Sequence, residues 1–568
     1  TSPYQLFNIV NNANLGYVGG VTGWNVAATG NTARIVVGNG TAPLTFTILP
    51  GADSLTSATR VDVQNNATLV IQNNRRPFLN SLNTGSTVDF AQAGLTTADT
   101  IRIPNISYYN LKLTGGIKLL SSGTTTIRGN LTIDGVQNFN GAGTPFSTVN
   151  AFGDVYFQNG TTFEPSPSGD GNRLTLALNG NSGAQNILGN GTTLRLFRLR
   201  RDTTTSSVDI NLGANTNLIL GNNAGGGLQL NQGLATNTNL DLGSNNLSFI
   251  GGAVSTTSSQ GKISAAGGVL TINKSTVANT AGTLRFNPGS SVDQLVVNFD
   301  PTQLRDSITI ADNLLINNNL TLTKGIVVMT APAILEMAAG ATLTQGTDTS
   351  FVDGKLTRNT NSNSTYVFPV GKGLFYRPVT VTPADGTASS YTAENFQSPY
   401  ATLTFSAPLT GVSTSEYWEV TRNSGVGGKI GLSLNGTAVP GALPAEEVTV
   451  ARFDGSNWTS VYATGITPGD ATTGSASSIH LNTFSPFTLG RIAAGTTYTF
   501  TGDGNWDVPA NWAGGVVPPN PLPAPHKIVI NPSGTCILNV PQTINPGGQI
   551  TVLTGKNMVV NGNLTIQR

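Results

Sequence analysis

The chain has 568 residues and a formal charge of +1, and charged residues make up only 10% of it, against about a quarter in an ordinary globular domain. A chain this close to neutral lacks the sustained basic field that nucleic acid or an anionic lipid surface requires, and no apolar run reaches bilayer length; neither nucleic acid nor a membrane span is expected. A single Cys, Cys536, and two His, His480 and His526, exclude an intrachain disulfide framework and leave no material for a Cys- or His-based metal centre.

The opening Thr1-Ser2-Pro3-Tyr4, with no Met and no charged-then-apolar leader, suits a mature secreted form, so an extracellular or cell-surface location is expected. Tyr4-Gln5-Leu6-Phe7-Asn8-Ile9-Val10 follows as an apolar strand. From about residue 31 to residue 350 one short phrase returns, as in Ala67-Thr68-Leu69-Val70-Ile71, Asn130-Leu131-Thr132-Ile133, Val269-Leu270-Thr271-Ile272 and Asn319-Leu320-Thr321-Leu322. Period-2 alternation sends Leu, Ile and Val to one face and Thr, Asn or Gln to the other. Asn-Gly and Gly-Gly pairs between the phrases supply turns, because both residues accept positive φ. Ile316, Leu322, Val328, Leu335 and Leu343 recur every six to eight residues. Three such strands would close a coil of roughly twenty residues, which predicts a parallel β-helix, or solenoid, over 1–350; a series of β-sandwiches is the alternative. Arg195, Arg198, Arg200 and Arg201 crowd one stretch and are expected to form a single solvated strand face that blocks aggregation.

Near residue 351 aromatics become denser and strands longer. Tyr366-Val367-Phe368-Pro369-Val370-Gly371, Tyr376-Arg377-Pro378-Val379, Glu416-Tyr417-Trp418-Glu419-Val420, Arg452-Phe453-Asp454-Gly455-Ser456-Asn457-Trp458 and Phe484-Ser485-Pro486-Phe487-Thr488-Leu489-Gly490 predict an antiparallel β-sandwich over 351–492. Over 493–568, Gly502-Asp503-Gly504-Asn505-Trp506 and Pro509-Ala510-Asn511-Trp512 precede a return of solenoid phrasing in Gln549–Val552, Asn557–Val560 and Leu564–Ile566, so a small C-terminal β module is expected. The fold class is therefore all-β.

The order of the five segments between 366 and 490 resembles a module of very large secreted surface proteins of Bacteroidetes, in which it follows a β-helix-like region. The Trp506 and Trp512 motifs are similar to a second module of such proteins. The resemblance implies a cell-surface or secreted protein, cargo-like for type IX secretion, with no sorting domain visible at the C-terminal end. It also implies that Asp-Ser/Thr-apolar sites carry O-glycans, here at Ser54, Thr100, Thr203 and Ser307.

Asp503, Asn505 and Asp507 place three oxygen side chains at alternate positions, a spacing that suits calcium and equally an ordinary turn; no other cofactor is implied. Asp134, Asp154, Asp209, Asp241 and Asp300 stand apart along the chain with no paired carboxylates, so an enzyme is not expected. Trp24, Trp418, Trp458, Trp506 and Trp512 read as core or loop anchors before sugar-stacking faces. Cys536 reads as an inert buried thiol. The C-terminal segment ends in solenoid alternation without a polar cap, and head-to-tail self-association is expected between Val559, Leu564 and Ile566 of one copy and Tyr4, Leu6 and Ile9 of the next. The expected function is a structural subunit of an extracellular filament, fibre or coat, a homopolymer. The alternative is an adhesin carrying a sandwich that binds surface glycans on a solenoid stalk.

Overall fold

A computed structural model describes residues 5–9, 13–15, 33–49, 60–72, 77–92, 101–141, 147–162, 174–181, 183–201, 209–221, 226–230, 238–251, 261–273, 280–299, 306–344, 346–434, 448–461 and 475–567. The fold is all-β, with a solenoid of about 18 turns and a later antiparallel region. Among the described residues the helices are two single 3-10 turns, Pro509–Asn511 and Ala513–Gly515. The chain forms two compact units, Thr1–Gly325 and Ile326–Arg568.

In the first unit successive coils pair in parallel and in register, so like residues stack on like. One sheet of 11 strands runs from Ala13–Leu15 to Gly261–Ser264. Within it Phe46, Leu69, Val88, Leu111, Leu131, Val155, Ile187 and Leu212 form one continuous column, each residue paired to the next. All eight are buried. Each added coil thus extends the core by one apolar layer, while Thr and Asn at the alternating positions stay toward solvent.

The recurring Asn before each strand has a distinct duty at the coil corner. Asn110 Oδ1 accepts the Asn130 N–H (2.9 Å), Asn130 Oδ1 accepts that of Asp154 (3.0 Å), and Asp154 Oδ1 accepts that of Asn186 (2.8 Å). Farther along, Asn217 receives Asn246 (2.9 Å) and Asn246 receives Val269 (2.7 Å). At a corner the backbone leaves the ladder direction, and a side-chain carbonyl supplies the missing acceptor. Asn159-Gly160 and Asn190-Gly191 adopt positive φ in succession, at 49° and 72° and at 45° and 88°, which is the turn chemistry their composition requires.

The four arginines near residue 200 do not share one strand. The chain bends at Phe197, so Arg195 belongs to Thr193–Leu196 and the others to Arg198–Arg201, in different sheets. Arg201 turns inward and is fully buried, donating to the carbonyls of Leu178 (3.1 Å) and Gly180 (2.7 Å). A solvated four-arginine face is thereby corrected: the alternation rule fails where a corner interrupts it.

In the second unit, Lys355–Thr360 marks the change of architecture. It pairs parallel with Ile334–Met337 on one side and antiparallel with Ser389–Phe396 on the other. Antiparallel pairing then continues through Tyr417–Ser424, Pro486–Ile492, Val448–Phe453 and Trp458–Ser460. A second antiparallel sheet contains Tyr366–Phe368, Val379–Pro383, Gly428–Ser433 and Ser475–Ser477. The expected passage from solenoid to sandwich at 350/351 lies between the compact-unit boundary at 325/326 and this strand.

Over 497–566 parallel coils resume around Phe500, Trp506, Trp512, Leu522, Ile528, Ile530, Cys536, Leu538 and Ile544. Lys527 pairs with Gln549, Thr535 with Asn557 and Gln542 with Leu564, a constant offset of 22 residues. Cys536 is buried, and its burial pushes the thiol pKa up to about 11, the state of an unreactive packing residue.

Candidate functional site

Two surfaces of the second unit combine exposure with organised chemistry. The first is the outward face of the antiparallel sheet. Alternation along Ser389–Phe396 points Tyr391, Ala393 and Asn395 inward, where all are buried, and leaves Thr392, Glu394 and Phe396 outward. The facing strand Tyr417–Ser424 buries Trp418 and Val420 and presents Tyr417, Glu419 and Thr421. Register therefore sets Glu394 directly across from Glu419, and Phe396 across from Tyr417.

The two rings stack at 4.6 Å between centroids with 4° between planes, and Tyr400 meets Tyr417 edge-on at 5.1 Å. Tyr400 also contacts Phe453 at 5.0 Å and the buried Trp458 at 5.4 Å, which fixes the group on a satellite core of Leu409, Val412, Ala451 and Ile492. Segment 402–406 runs beside Trp458, whose indole N–H donates to the Thr402 carbonyl (2.7 Å) and whose backbone bonds Thr404 and Ser406 (2.9 Å each). That alternation leaves Leu403 and Phe405 facing out, 38% and 43% exposed.

Partial burial holds the Glu394 carboxyl above its usual range, an effect opposed by Lys372 and Lys355 and reinforced by Glu419. The Tyr417 hydroxyl is likewise raised, first by burial and then by Glu419. Lys372 donates to Asp353 at 2.8 Å, so part of the local positive charge is already engaged. Beneath this face the fully buried Glu416 holds the strand: Arg377 Nε, on a partly exposed side chain, donates to Glu416 Oε2 (2.7 Å), and Gln397 donates to the same oxygen (3.0 Å).

The second surface is the coil 549–566. Val552, Val560 and Ile566 stack on Ile530, Leu538 and Ile544. The three underlying residues are at most 1% exposed, whereas the three above are 44%, 48% and 59% exposed. Leu553 is exposed as well, Leu564 is half-buried, and Val559, paired with the outward Ile537, lies on the other side of its strand from Val560.

The remaining expected site residues fall as follows. Asp503 Oδ1 accepts the Thr535 N–H (2.8 Å), and Asp507 Oδ1 accepts from the Asn539 amide (2.9 Å). Both carboxylates serve as links to the next coil, as the corner asparagines do, and Asn505 is an exposed strand residue. Among the described residues no three His, Cys, Asp or Glu side chains gather as metal ligands. Gln5–Ile9 pairs in parallel with Ala33–Val37, which places Leu6 and Ile9 in a strand; Tyr4 lies outside the described residues. Ser54, Thr100, Thr203, Trp24 and Asp300 also lie outside them. Ser307 is half-buried in strand Ser307–Ile310, beside the buried Asp306. Trp418, Trp458, Trp506 and Trp512 are all buried. Among the described residues no helix is long and apolar enough to cross a membrane.

The outward aromatic and carboxylate group has no local signature in the sequence. Glu394 and Glu419, 25 residues apart, become neighbours only through strand register, whereas the Tyr-Trp-Glu alternation at 417–419 was the available signal. Compared with known proteins, the chain matches no family model, no curated protein and no solved structure.

Proposed function

We propose that the chain is a structural, non-catalytic module of a secreted surface assembly, extended end to end by stacking of coils from separate copies. The observation that supports this reading is coil stacking in register: the buried column from Phe46 to Leu212 and the constant 22-residue offset of 527–544 and 549–566 add one apolar layer per coil, a construction that a coil of another copy can continue. A coil of another copy, in the same register, would pack on Val552, Val560 and Ile566 as these pack on Ile530, Leu538 and Ile544. A contact joining unlike surfaces without closing propagates as a filament or coat.

Sedimentation and negative-stain microscopy test the proposal with the full chain and a Val552→Asp, Val560→Asp, Ile566→Asp variant. The intact chain is expected to form concentration-dependent oligomers and the variant to remain monomeric. A monomeric intact chain at high concentration would overturn the reading.

A second reading has its own support. The outward face holding Phe396, Tyr417, Glu394 and Glu419 joins rigid half-exposed rings to carboxylates, a combination suited to an adhesin that binds surface glycans.

A further inference from the structure

We propose that this face of the sandwich is a binding site for neutral hexopyranose chains, with Phe396, Tyr400 and Tyr417 as the apolar platform and Glu394 and Glu419 as hydroxyl acceptors. The inference rests on the adhesin reading and names its site and ligand class.

A pyranose is amphipathic in a definite way. Its axial C–H groups make an apolar face, and its equatorial hydroxyls make a polar rim. A site for it needs an aromatic surface held in place and acceptors displaced to one side, and strand geometry supplies both here. The Phe396–Tyr417 pair and the Glu394–Glu419 pair are two residues apart along the same two strands, about 7 Å at the ordinary rise. Both pairs project to the same side, because the separation is even.

The rings lose little freedom on binding. Phe396 and Tyr417 already stack on one another, and Tyr400 braces Tyr417 from the side while resting on Phe453 and Trp458. Such preorganisation is what makes aromatic contacts effective at low entropic cost. Leu403 and Phe405 stand exposed on the segment beside Trp458, on which Tyr400 also rests.

Charge selects among glycans. Lys372 is engaged by Asp353, and Lys355 sits beside Glu394, next to Leu356 in the register with Ala393. Glu419 is the exposed member of the pair and leaves the face locally acidic. A polyuronate brings carboxylates into that field and is repelled, whereas neutral hydroxyls donate to it without an ionic cost.

The experiment is calorimetry of the full chain against cellohexaose, mannohexaose and hexagalacturonate. Variants Tyr417→Ala, Phe396→Ala and Glu419→Lys are compared, with thermal melting as a check on folding. Glu419→Lys alters an exposed side chain, so it reports on the site even if a ring deletion unfolds the sandwich. At least one neutral hexaose is expected to bind, hexagalacturonate to bind more weakly, and each ring deletion that still folds to weaken neutral binding about tenfold or more. Glu419→Lys is expected to weaken the neutral hexaose and to improve hexagalacturonate. Absence of binding by both neutral hexaoses overturns the site, as does tighter binding of hexagalacturonate by the unaltered chain or indifference to all three substitutions. Binding of a neutral hexaose that resists all three substitutions would retain the adhesin reading while rejecting this face.

Discussion

Leu131 in the solenoid and Trp418 in the sandwich are equally buried, yet they depend on different parts of the chain. Leu131 is layered between Leu111 and Val155, one coil before and one after. Trp418 is paired with Asn395 and with Phe487, and its indole N–H reaches the Arg377 carbonyl at 2.9 Å. The first environment is assembled from neighbours in sequence, the second from segments that span most of the sandwich. Solenoid stability is therefore expected to be additive and local, whereas the sandwich should open as one cooperative body.

The sharpest break in that comparison is Trp418→Ala. It removes a fully buried indole of the antiparallel sheet and should cost about 4 kcal/mol. Hydrogen exchange should then rise together over Ser389–Phe396, Tyr417–Ser424 and Pro486–Ile492. Leu131→Ala should cost about 3 kcal/mol, and its exchange should rise mainly in Asn110–Thr114, Leu131–Asp134 and Val155–Gln158. Equal spreading of the two effects would erase the proposed distinction.

A smaller effect concerns Lys118, whose ammonium is fully buried and donates to the carbonyls of Gln92 (3.1 Å) and Gly115. Burial lowers its pKa from 10.5 to about 8, with Asp89 acting in the opposite sense. Between those values the unfolded chain holds a proton that the folded chain has released, so folding gains stability as pH rises through about 8 toward 10.5. Relative to Lys118→Met, the native protein should therefore gain about 1.5 kcal/mol over the first one and a half pH units above 8, read from melting of both at each pH. The smallest effect is expected at a corner: Asn130→Ala, which leaves the Asp154 N–H without its acceptor, should cost about 1 kcal/mol.

The solenoid was legible because its rule is local. The Asn-Leu-Thr-Ile phrase contains a corner acceptor followed by inward, outward and inward positions, and the columns through Leu131 and Ile133 follow from repeating it. The rule fails where chain direction changes within a phrase, as at Phe197, or where an inward position carries a polar residue, as at Lys118. Lys118 shares the inward side of its strand with Leu120 and reaches backbone oxygens that only the folded coil brings near. In the sandwich the strands were visible, but the Glu394–Glu419 and Phe396–Tyr417 pairs were not. Their adjacency depends on an antiparallel register set across a long connection, and no short-range periodicity encodes it.

The constant 22-residue offset between the coils of 527–544 and 549–566 makes that stretch a molecular ruler. An in-frame duplication of 22 codons would supply another coil with the same corners, the same columns and the same edge polarity, and would lengthen the stack by about 4.8 Å. Length can then vary by tandem copying without any new packing having to be invented, and unequal recombination between such repeats becomes a direct means of adjusting how far the module reaches.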